Sequence, residues 1–355
     1  MPDQNTLITW ATPVFFLLIG LEVWVAHRRG AAVFQLADSL TSLGCGVWTV
    51  TVEVFTKGAL LLLFARVQQH YGLIDFRVDA VLTWVLFFFL LDFLYYWAHR
   101  WSHEINILWG VHVPHHQSEE YNLTTALRQG AFQDTVHWPI YLPLALLGCP
   151  AEVFIILLTF SKFYQFWIHT RMIGKVPLIE GILNTPSAHR IHHAVNDSYV
   201  DHNHGGTLMV WDKLFGTWAE ETEPCVFGVR RPYHRWNAVW AHFDWFADLF
   251  RDARRTENFR DRLRVWVKPT GWRPPDIAAR EPYPPFVPGE VQHFTAKRGG
   301  VWTGVAVLLF VLAAIANNVL LGEARALSWP VKLVLAADVT LLLLAMAWAL
   351  QPRRS

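Results

Sequence analysis

The chain has 355 residues, of which 53% are hydrophobic and only 17% are charged, and its formal net charge is +1. Soluble domains carry about 25% charged residues, so this composition argues against an ordinary soluble protein. The near-neutral charge argues against nucleic acid as a partner. The three cysteines are far apart and form no CxxC pair, which argues against a disulfide framework and a sulfur-ligated metal.

Seven apolar segments are long enough, or nearly so, to cross a bilayer core at roughly 20 residues each. They lie near residues 7–26, 41–64, 79–98, 131–147, 151–168, 301–321 and 330–350. Gly148-Cys149-Pro150 is a turn signal between the fourth and fifth segments, so we expect a helical hairpin there, with one long span as the alternative. The first segment lacks the features of a signal peptide, so we expect it to be retained. The predicted fold is an all-α, polytopic integral membrane protein with about seven transmembrane helices.

Basic residues are concentrated on one side of this predicted topology. Two arginines (28–29) follow the first segment, eleven basic residues lie within 251–298, and two arginines (353–354) lie near the last residue. This bias predicts an outer N-terminus, a cytosolic C-terminus, and cytosolic positions for residues 99–130 and 169–300. The excess of arginine over lysine hints at a bacterial source, and thus at the inner membrane. We divide the chain into N-terminal transmembrane helices (1–78), a histidine-rich central domain (79–250), a basic interfacial segment with a Pro-rich linker (251–300) and a C-terminal transmembrane pair (301–355).

Histidine is the most informative residue type, because eight of the 17 histidines fall into three boxes with the patterns HxxxH, HxxHH and HxxHH. The boxes consist of His99 and His103, then His112, His115 and His116, and then His189, His192 and His193. Positions i, i+3 and i+4 share a helix face, so we expect each box to direct its rings at one point. Eight imidazoles are too many for one ion, which predicts a pair of metal ions. The alternatives are surface histidines without function, a structural zinc site and a metal transporter, although a transporter places its ligands near the membrane midplane.

Charged residues within the apolar segments are a second clue, since a charge at membrane depth is costly and usually faces a partner. Asp92, Tyr96, His99 and His103 form one helical stripe. We expect Asp92 to point toward the metal site, as a ligand or as an acceptor for an imidazole N–H. A carboxylate capped by a neighbouring tyrosine or tryptophan is the alternative. Glu53 and Lys57, four residues apart, are expected to form a buried ion pair.

Longer stretches resemble the fatty acid hydroxylase and sterol desaturase superfamily, and within it the glyceryl-ether monooxygenase branch. They are HRWSHEINILWGVHVPHHQSEEYNLTTALRQ (99–129), YQFWIHTRMIGKVPLIEGILNTPSAHRIHHAVND (164–197) and WDKLFGT (211–217). The resemblance implies that the central domain is a di-iron catalytic domain that hydroxylates a long-chain lipid with O2. It implies two iron ions (with zinc possible in purified samples), and reduced pterin (tetrahydrobiopterin) or another electron donor. The implied partners are a membrane lipid substrate and an electron donor or reductase.

The resemblance also implies roles for single residues. The eight boxed histidines match the metal ligands, and His169, in the QFWIHT stretch, matches a further histidine that is either a ninth ligand or a residue beside the ligands. Glu104 follows the first box and is expected to bond the pterin or a ligand imidazole, with a surface carboxylate at a helix end as the alternative. His202 and His204 match no family histidine and are left out, and His137 is expected to be a packed, hydrogen-bonded residue.

Several questions stay open at this level. Hydroxylation and desaturation share an oxidant, so the residues do not separate them, and a sphingolipid, sterol, fatty acyl or amino-acid lipid is an alternative substrate. The aromatic residues of 86–97 either line a groove for the lipid tail or pack in the ordinary way. The basic segment 251–268 is expected to lie against anionic headgroups. The oligomeric state is open.

Overall fold

A computed structural model describes residues 4–287, 290, 293–295 and 298–352 of the chain. Within these residues the fold is helical, with isolated β-bridges and no strand. The helices are α1 (Gln4–Arg29), α2 (Leu36–Tyr71), α3 (Val81–Glu104), α4 (Asn106–His116), α5 (Leu123–Ala126), α6 (Gln133–Leu147), α7 (Ala151–Trp167), α8 (Pro186–His193), α9 (Val210–Phe215), α10 (Asp244–Arg255), α11 (Phe259–Val267), α12 (Pro275–Arg280), α13 (Gly300–Gly322) and α14 (Trp329–Leu350).

Four helices among the described residues, α2, α3, α13 and α14, are long and apolar enough to cross a membrane. Helices also form at the other three predicted segments, but α6 and α7 have only 15 and 17 residues. A helix of that length is shorter than the roughly 20 residues that span a hydrocarbon core. The helical class of the predicted fold is therefore confirmed, whereas seven crossings and a cytosolic site stay predictions.

The turn between α6 and α7 forms where the sequence predicts it. Gly148 has a φ of 110°, in the left-handed region that favours glycine, and its N–H donates to the carbonyls of Leu144 and Ala145 at 3.1 and 3.0 Å. Pro150 then precedes the first residue of α7. Two helices joined by a tight turn thus replace the single long helix that was the alternative.

The C-terminal pair packs on the rest of the protein. One hydrophobic cluster contains Trp48 of α2, Ala238, Phe310 of α13 and Leu343 of α14, all buried. A second cluster joins α2, α3, α6 and α7 around the stacked rings of Phe64 and Phe154. The domain boundaries drawn from the sequence remain a prediction.

The segment after residue 250 is more helical than expected. The basic stretch 251–268 forms the end of α10 and all of α11, and the Pro-rich stretch contains α12. Val265 of α11 is fully buried, and its carbonyl accepts a hydrogen bond from the Asn106 side chain at 2.9 Å. This contact packs α11 against the first residue of α4, and thus against the helix that carries the second histidine box. Lys297, Arg353 and Arg354, which are among the basic residues behind the predicted orientation, lie outside the described residues.

Candidate metal centre and active-site cavity

The structure brings nine histidines together in two adjacent groups. In each group one ligand atom per residue lies within 4.8 Å of all the others, and every ring is buried. The first group is His99, His103, His112, His116 and His192, and the second is His115, His169, His189 and His193. The nine are the eight boxed histidines together with the histidine of the QFWIHT stretch.

Each HxxHH box divides its rings between the two groups, which corrects the expectation that a box points at one place. His112 and His116 belong to the first group and His115 to the second, whereas His189 and His193 belong to the second and His192 to the first. Successive residues of an α-helix are about 100° apart, so positions i and i+4 differ by about 40° and positions i+3 and i+4 by about 100°. The rings of an HxxHH box therefore point toward two different places, one for each histidine group.

The spacing of the ring nitrogens suits metal ligation. Nε2 of His112 lies 3.1 Å from Nε2 of His99 and 3.0 Å from Nε2 of His116. In the second group, Nε2 of His169 lies 3.2 Å from that of His115 and 3.0 Å from that of His189. Nitrogens about 2.0–2.1 Å from one ion come about 3 Å apart when their bonds are at right angles. The residues present thus fit an ion in each group.

Several ligand nitrogens have no other partner. Nε2 of His103, His192 and His193 is buried and makes no hydrogen bond among the described residues. Leaving a polar atom buried and unsatisfied costs about 1–3 kcal/mol, whereas a metal ion satisfies such an atom. These orphaned atoms are independent support for metal in both groups.

The opposite ring nitrogens are held by hydrogen bonds that set the tautomer. Nδ1–H of five rings donates to an oxygen, and in four of the five cases the acceptor is a backbone carbonyl. The pairs are His99 to His204 O (2.8 Å), His112 to Gln133 Oε1 (2.8 Å), His115 to Arg128 O (2.8 Å), His169 to Gln165 O (2.7 Å) and His192 to His202 O (3.1 Å). A proton on Nδ1 leaves the Nε2 lone pair directed at the group, as metal-ligating histidines require.

Burial keeps these rings neutral. Desolvation lowers the pKa of His112 to about 4, against a weaker opposing effect of the hydrogen bond to Gln133. Desolvation lowers the pKa of His169 to about 4 as well. Both rings are therefore unprotonated at neutral pH, which is the form that binds metal.

Two sequence motifs build the walls of the centre. Asn122 caps the short helix α5 of the NLTTALRQ stretch, and its side chain accepts from Thr124 N at 3.0 Å. The stretch then buries Arg128, whose Nε donates to Pro114 O at 2.6 Å while its own carbonyl holds His115. Thr185 caps α8, the helix of the third box.

Asp92 lies on the buried face of α3 as predicted, but its described hydrogen bonds do not go to a histidine ring. The carboxylate accepts from the backbone N–H of Thr207 (2.9 Å) and Leu208 (3.1 Å) and from Trp211 Nε1 (2.9 Å). The expected contact with an imidazole is therefore corrected. Asp92 instead holds the loop that follows His204, through the N–H groups of Thr207 and Leu208. The backbone carbonyl of His204 in turn orients the ring of His99.

Glu104 pairs with Arg100 one turn earlier, at 2.8 Å between Oε1 and Nε, and its side chain is 39% exposed. The expected bond from Glu104 to the pterin or to a ligand imidazole stays a prediction, and the surface carboxylate at a helix end stays its alternative. His137 is buried, with Nε2 2.7 Å from Ser102 Oγ, as expected of a packed histidine.

His204 is the residue that the sequence analysis missed. It is fully buried, and neither ring nitrogen has a hydrogen-bond partner among the described residues. Its ring centroid lies 5.2 Å from that of His103 and 5.6 Å from that of His192. The closeness of His204 to the third box in sequence could have pointed to it. It was left out because it matches no histidine of the family. His202 stays outside both groups and bonds the carbonyl of Val200.

A cavity of about 650 Å³ opens beside the two groups. His112, His115 and His169 form part of its wall, and the rest comes mainly from α1, α2, α6, α7 and α13. Its volume lies in the range of about 300–1,000 Å³ that is common for ligand pockets. The aromatic stretch 86–97 contributes only Tyr95 to this wall, and its other rings pack elsewhere.

Comparisons with known proteins agree with this site. The fatty acid hydroxylase family model matches residues 84–217. Alkylglycerol monooxygenase of Xenopus tropicalis is 35% identical over 344 residues, which cover 96% of this chain and 76% of that protein. The human alkylglycerol monooxygenase is 35% identical over 97% of this chain and 77% of its own length. The ornithine lipid hydroxylase of Rhizobium tropici is 32% identical over 39% of this chain and 43% of its own.

No solved structure matches the chain significantly. The relatives nevertheless extend over nearly the whole sequence, and the matched family region contains all nine clustered histidines. These relatives are oxidoreductases that act on lipids. The chain belongs to the fatty acid hydroxylase family, together with the alkylglycerol monooxygenases.

Proposed function

We propose that the chain is a di-iron lipid monooxygenase of the membrane, which hydroxylates the carbon beside the ether oxygen of an alkylglycerol. The observation that carries the proposal is the pair of buried histidine groups beside a cavity of about 650 Å³. The names of the full-length relatives supply the ether-lipid substrate.

In this proposal each histidine group holds one iron ion, with five ligands in the first group and four in the second. Bound iron would supply the oxidising power for an unactivated C–H bond, which no protein side chain provides. Zinc ranks above ferrous ion in affinity for such sites, so zinc in a purified sample is compatible with iron as the working metal.

The chain itself positions the substrate and excludes water. Hydrogen bonds through Nδ1 hold the rings of His112, His115 and His169 on the cavity wall, so a carbon in the cavity meets a rigid surface. A carbon beside an ether oxygen is a suitable target, because the oxygen lone pair stabilises the radical that forms when hydrogen is removed. Precise placement of that carbon is the main contribution of the protein to the rate.

The reaction balances with two electrons. One atom of O2 enters the C–H bond, and the other is reduced to water with two electrons and two protons. Reduced pterin is the proposed donor, with a separate reductase as the other source. The hydroxylated ether is a hemiacetal, which collapses to a fatty aldehyde and the free glycerol hydroxyl.

We further propose seven crossings, with the metal centre on the cytosolic side of a bacterial inner membrane. The concentration of basic residues in 251–298 supports this orientation. The same bias supports an outer position for the turn between α6 and α7.

The direct test is product formation. Purified protein in nanodiscs, loaded with iron, should release a fatty aldehyde from an alkylglycerol when O2 and reduced pterin are supplied, and 18O2 should label the aldehyde before it exchanges with water. Absence of aldehyde with any of several donors, while another lipid gains one labelled oxygen, would reject the ether lipid and retain the hydroxylase.

A second candidate is the hydroxylation of an amino-acid lipid, which the match to an ornithine lipid hydroxylase favours. Comparative lipidomics of membranes with and without the protein, under labelled oxygen, separates the candidates. Desaturation would instead give a new double bond without labelled oxygen in the product.

A further inference from the structure

Four charged side chains lie together on the cavity wall, and none of them belongs to the histidine groups. Glu53 and Lys57 belong to α2, Asp134 to α6 and Lys162 to α7, and all four line the cavity. Lys57 Nζ lies 2.5 Å from Glu53 Oε2 and 3.7 Å from Asp134 Oδ2, and Lys162 Nζ lies 2.5 Å from the same Asp134 oxygen. We name this set the charged quartet. The ion pair predicted from the sequence is thus one half of a larger network.

The quartet is expensive to place where it is. Glu53 and Lys57 are within α2, a helix able to cross the membrane, and a charge at the centre of a membrane helix costs about 2.5–3.5 kcal/mol on insertion scales. Apolar residues of similar size would join the three helices at least as well, because a buried ion pair often stabilises less than its hydrophobic replacement. A function in binding explains the four charges better than a purely structural one.

The chemistry of the quartet selects among ligands. Two ammonium groups and two carboxylates sum to zero charge, so an anionic headgroup meets Asp134 and Glu53 as well as the lysines. A neutral group with several hydroxyls, which both donate and accept, satisfies both kinds of partner. The Lys162 side chain lines the cavity and, at 40%, has the largest exposed fraction of the four, so it is the member of the quartet that such a ligand reaches most easily.

The quartet is also close to the proposed reaction centre in the fold. Asp134 follows Gln133, whose Oε1 accepts from Nδ1 of His112 at 2.8 Å. Lys162 precedes His169, which also lines the cavity, by about two helical turns. A headgroup held by the quartet therefore leaves the next carbons of the lipid near the histidine wall. Apolar residues of α1 and α13 on the same cavity, such as Phe16 and Ile315, remain for the tail.

We infer that the charged quartet is a headgroup subsite, which binds the free hydroxyls of an uncharged polyol lipid. This inference rests on the proposed function, because it uses the same cavity as the substrate site. It names the feature of the substrate that the protein recognises: two adjacent hydroxyl groups without a phosphate.

Binding without turnover tests the inference. The zinc-loaded protein in nanodiscs is titrated with hexadecylglycerol, with its acetonide, in which both hydroxyls are blocked, and with its phosphate monoester. The wild type should bind the free diol about tenfold or more tightly than the acetonide, because one hydrogen bond to a charged group is worth about a decade of affinity. The phosphate should bind no better than the diol.

Two variants and one control test whether the preference for the free diol over the acetonide comes from the charged quartet. Lys162→Met keeps the aliphatic stem and should reduce the ratio of the two affinities to about one, while the acetonide affinity, set by the tail, is unchanged. The double variant Glu53→Gln, Lys57→Met removes a neutral pair and should act in the same way, which covers the case that Lys162→Met does not fold. Lys332→Met, on α14 and absent from the cavity wall, is the matched control and should keep the full preference.

The outcomes separate the subsite from the function. A wild type that does not discriminate, a preference for the phosphate, or an equal loss of all three affinities in the variants overturns the subsite. If the protein binds the diol selectively but releases no aldehyde with any electron donor, the proposed function is overturned and the subsite stands. If the protein releases the aldehyde but does not bind the diol selectively, the subsite is overturned and the proposed function stands.

Discussion

At the scale of single residues, the proposed metal centre depends on backbone carbonyl groups as well as on the histidines. His99, His115, His169 and His192 each donate Nδ1–H to a backbone oxygen. Backbone carbonyls outside the boxes thereby set the direction in which the Nε2 lone pairs of these rings point. Partners of this kind commonly affect metal affinity by about 10–100-fold.

Removing one ligand should empty one group more than the other. We expect His192→Ala to lower occupancy of the five-histidine group and His193→Ala to lower that of the four-histidine group, so each variant should hold close to one transition-metal ion instead of two. Metal analysis of purified protein, together with spectroscopy of the iron-loaded form, measures this. His202→Ala, which keeps the carbonyl that orients His192, is the control and should retain both ions. Two full ions and full activity in His192→Ala would contradict the site.

Arg128 is a second residue with a large expected effect. It is 1% exposed, bonds Pro114 O and Gln117 Oε1, and provides a positive charge for the buried Asp38. Arg128→Met removes the hydrogen bonds to Pro114 O and Gln117 Oε1, and each buried partner left unsatisfied costs about 1–3 kcal/mol. Thermal unfolding in detergent should show a large drop in stability.

The control for Arg128 is Arg77→Met. Arg77 forms an ion pair with Asp79 in which both side chains are largely exposed, and exposed pairs contribute little. If the two variants unfold at the same temperature, the account of Arg128 as a buried support of His115 is wrong.

At the scale of helices, the hairpin of α6 and α7 decides how the topology can be tested. Cys149 in its turn is fully buried, so an impermeant thiol reagent would not reach it from either side. The neighbouring loop after α2 offers Leu73, which is 81% exposed and whose N–H donates to Leu146 O at 2.8 Å. Leu178, at 91% exposed, lies between α7 and α8.

We therefore expect opposite labelling of two added cysteines in a Cys225→Ser background, in which the remaining Cys45 and Cys149 are buried. Leu73→Cys should react with an impermeant reagent from the outer face of intact cells, and Leu178→Cys only after the membrane is opened. Labelling of both positions from one side would show that the hairpin does not return the chain as proposed.

At the scale of the whole molecule, helices distant in sequence enclose the cavity. Phe16 of α1, Val50 of α2 and Ala314 of α13 line it together with the histidines. Helix α13 of the C-terminal pair is thus part of the cavity wall, although the fatty acid hydroxylase match ends at residue 217.

Filling the cavity from α13 should change which lipid chains are accepted. Ala314→Trp places a large ring in the space for the tail, so turnover of a hexadecyl substrate should fall about tenfold or more while a shorter chain is affected less, since small misplacements of a reacting carbon can cost about two decades of rate. Leu308→Trp, on an exposed face of the same helix and off the cavity wall, is the control. Rates measured across a series of chain lengths give the result, and an equal loss at every length would contradict the role of α13.

The sequence by itself determined the helical class and the break at Gly148, and it singled out the nine histidines that the structure brings together. Helical periodicity and local turn chemistry depend on neighbours in the chain, so they can be read without a structure. The eight boxed histidines were recognisable because their spacing repeats, and His169 because its stretch resembled the family.

Only the tertiary structure decided which rings share a group, because that depends on how α3, α4 and α8 cross. It assigned His115 and His116, adjacent in sequence, to different groups and placed His204 beside the first. It also turned Asp92 toward the loop at Thr207 and joined the Glu53–Lys57 pair to α6 and α7. Contacts of this kind join residues as distant in the chain as Asp92 and Thr207, which are 115 positions apart, and no local pattern specifies them.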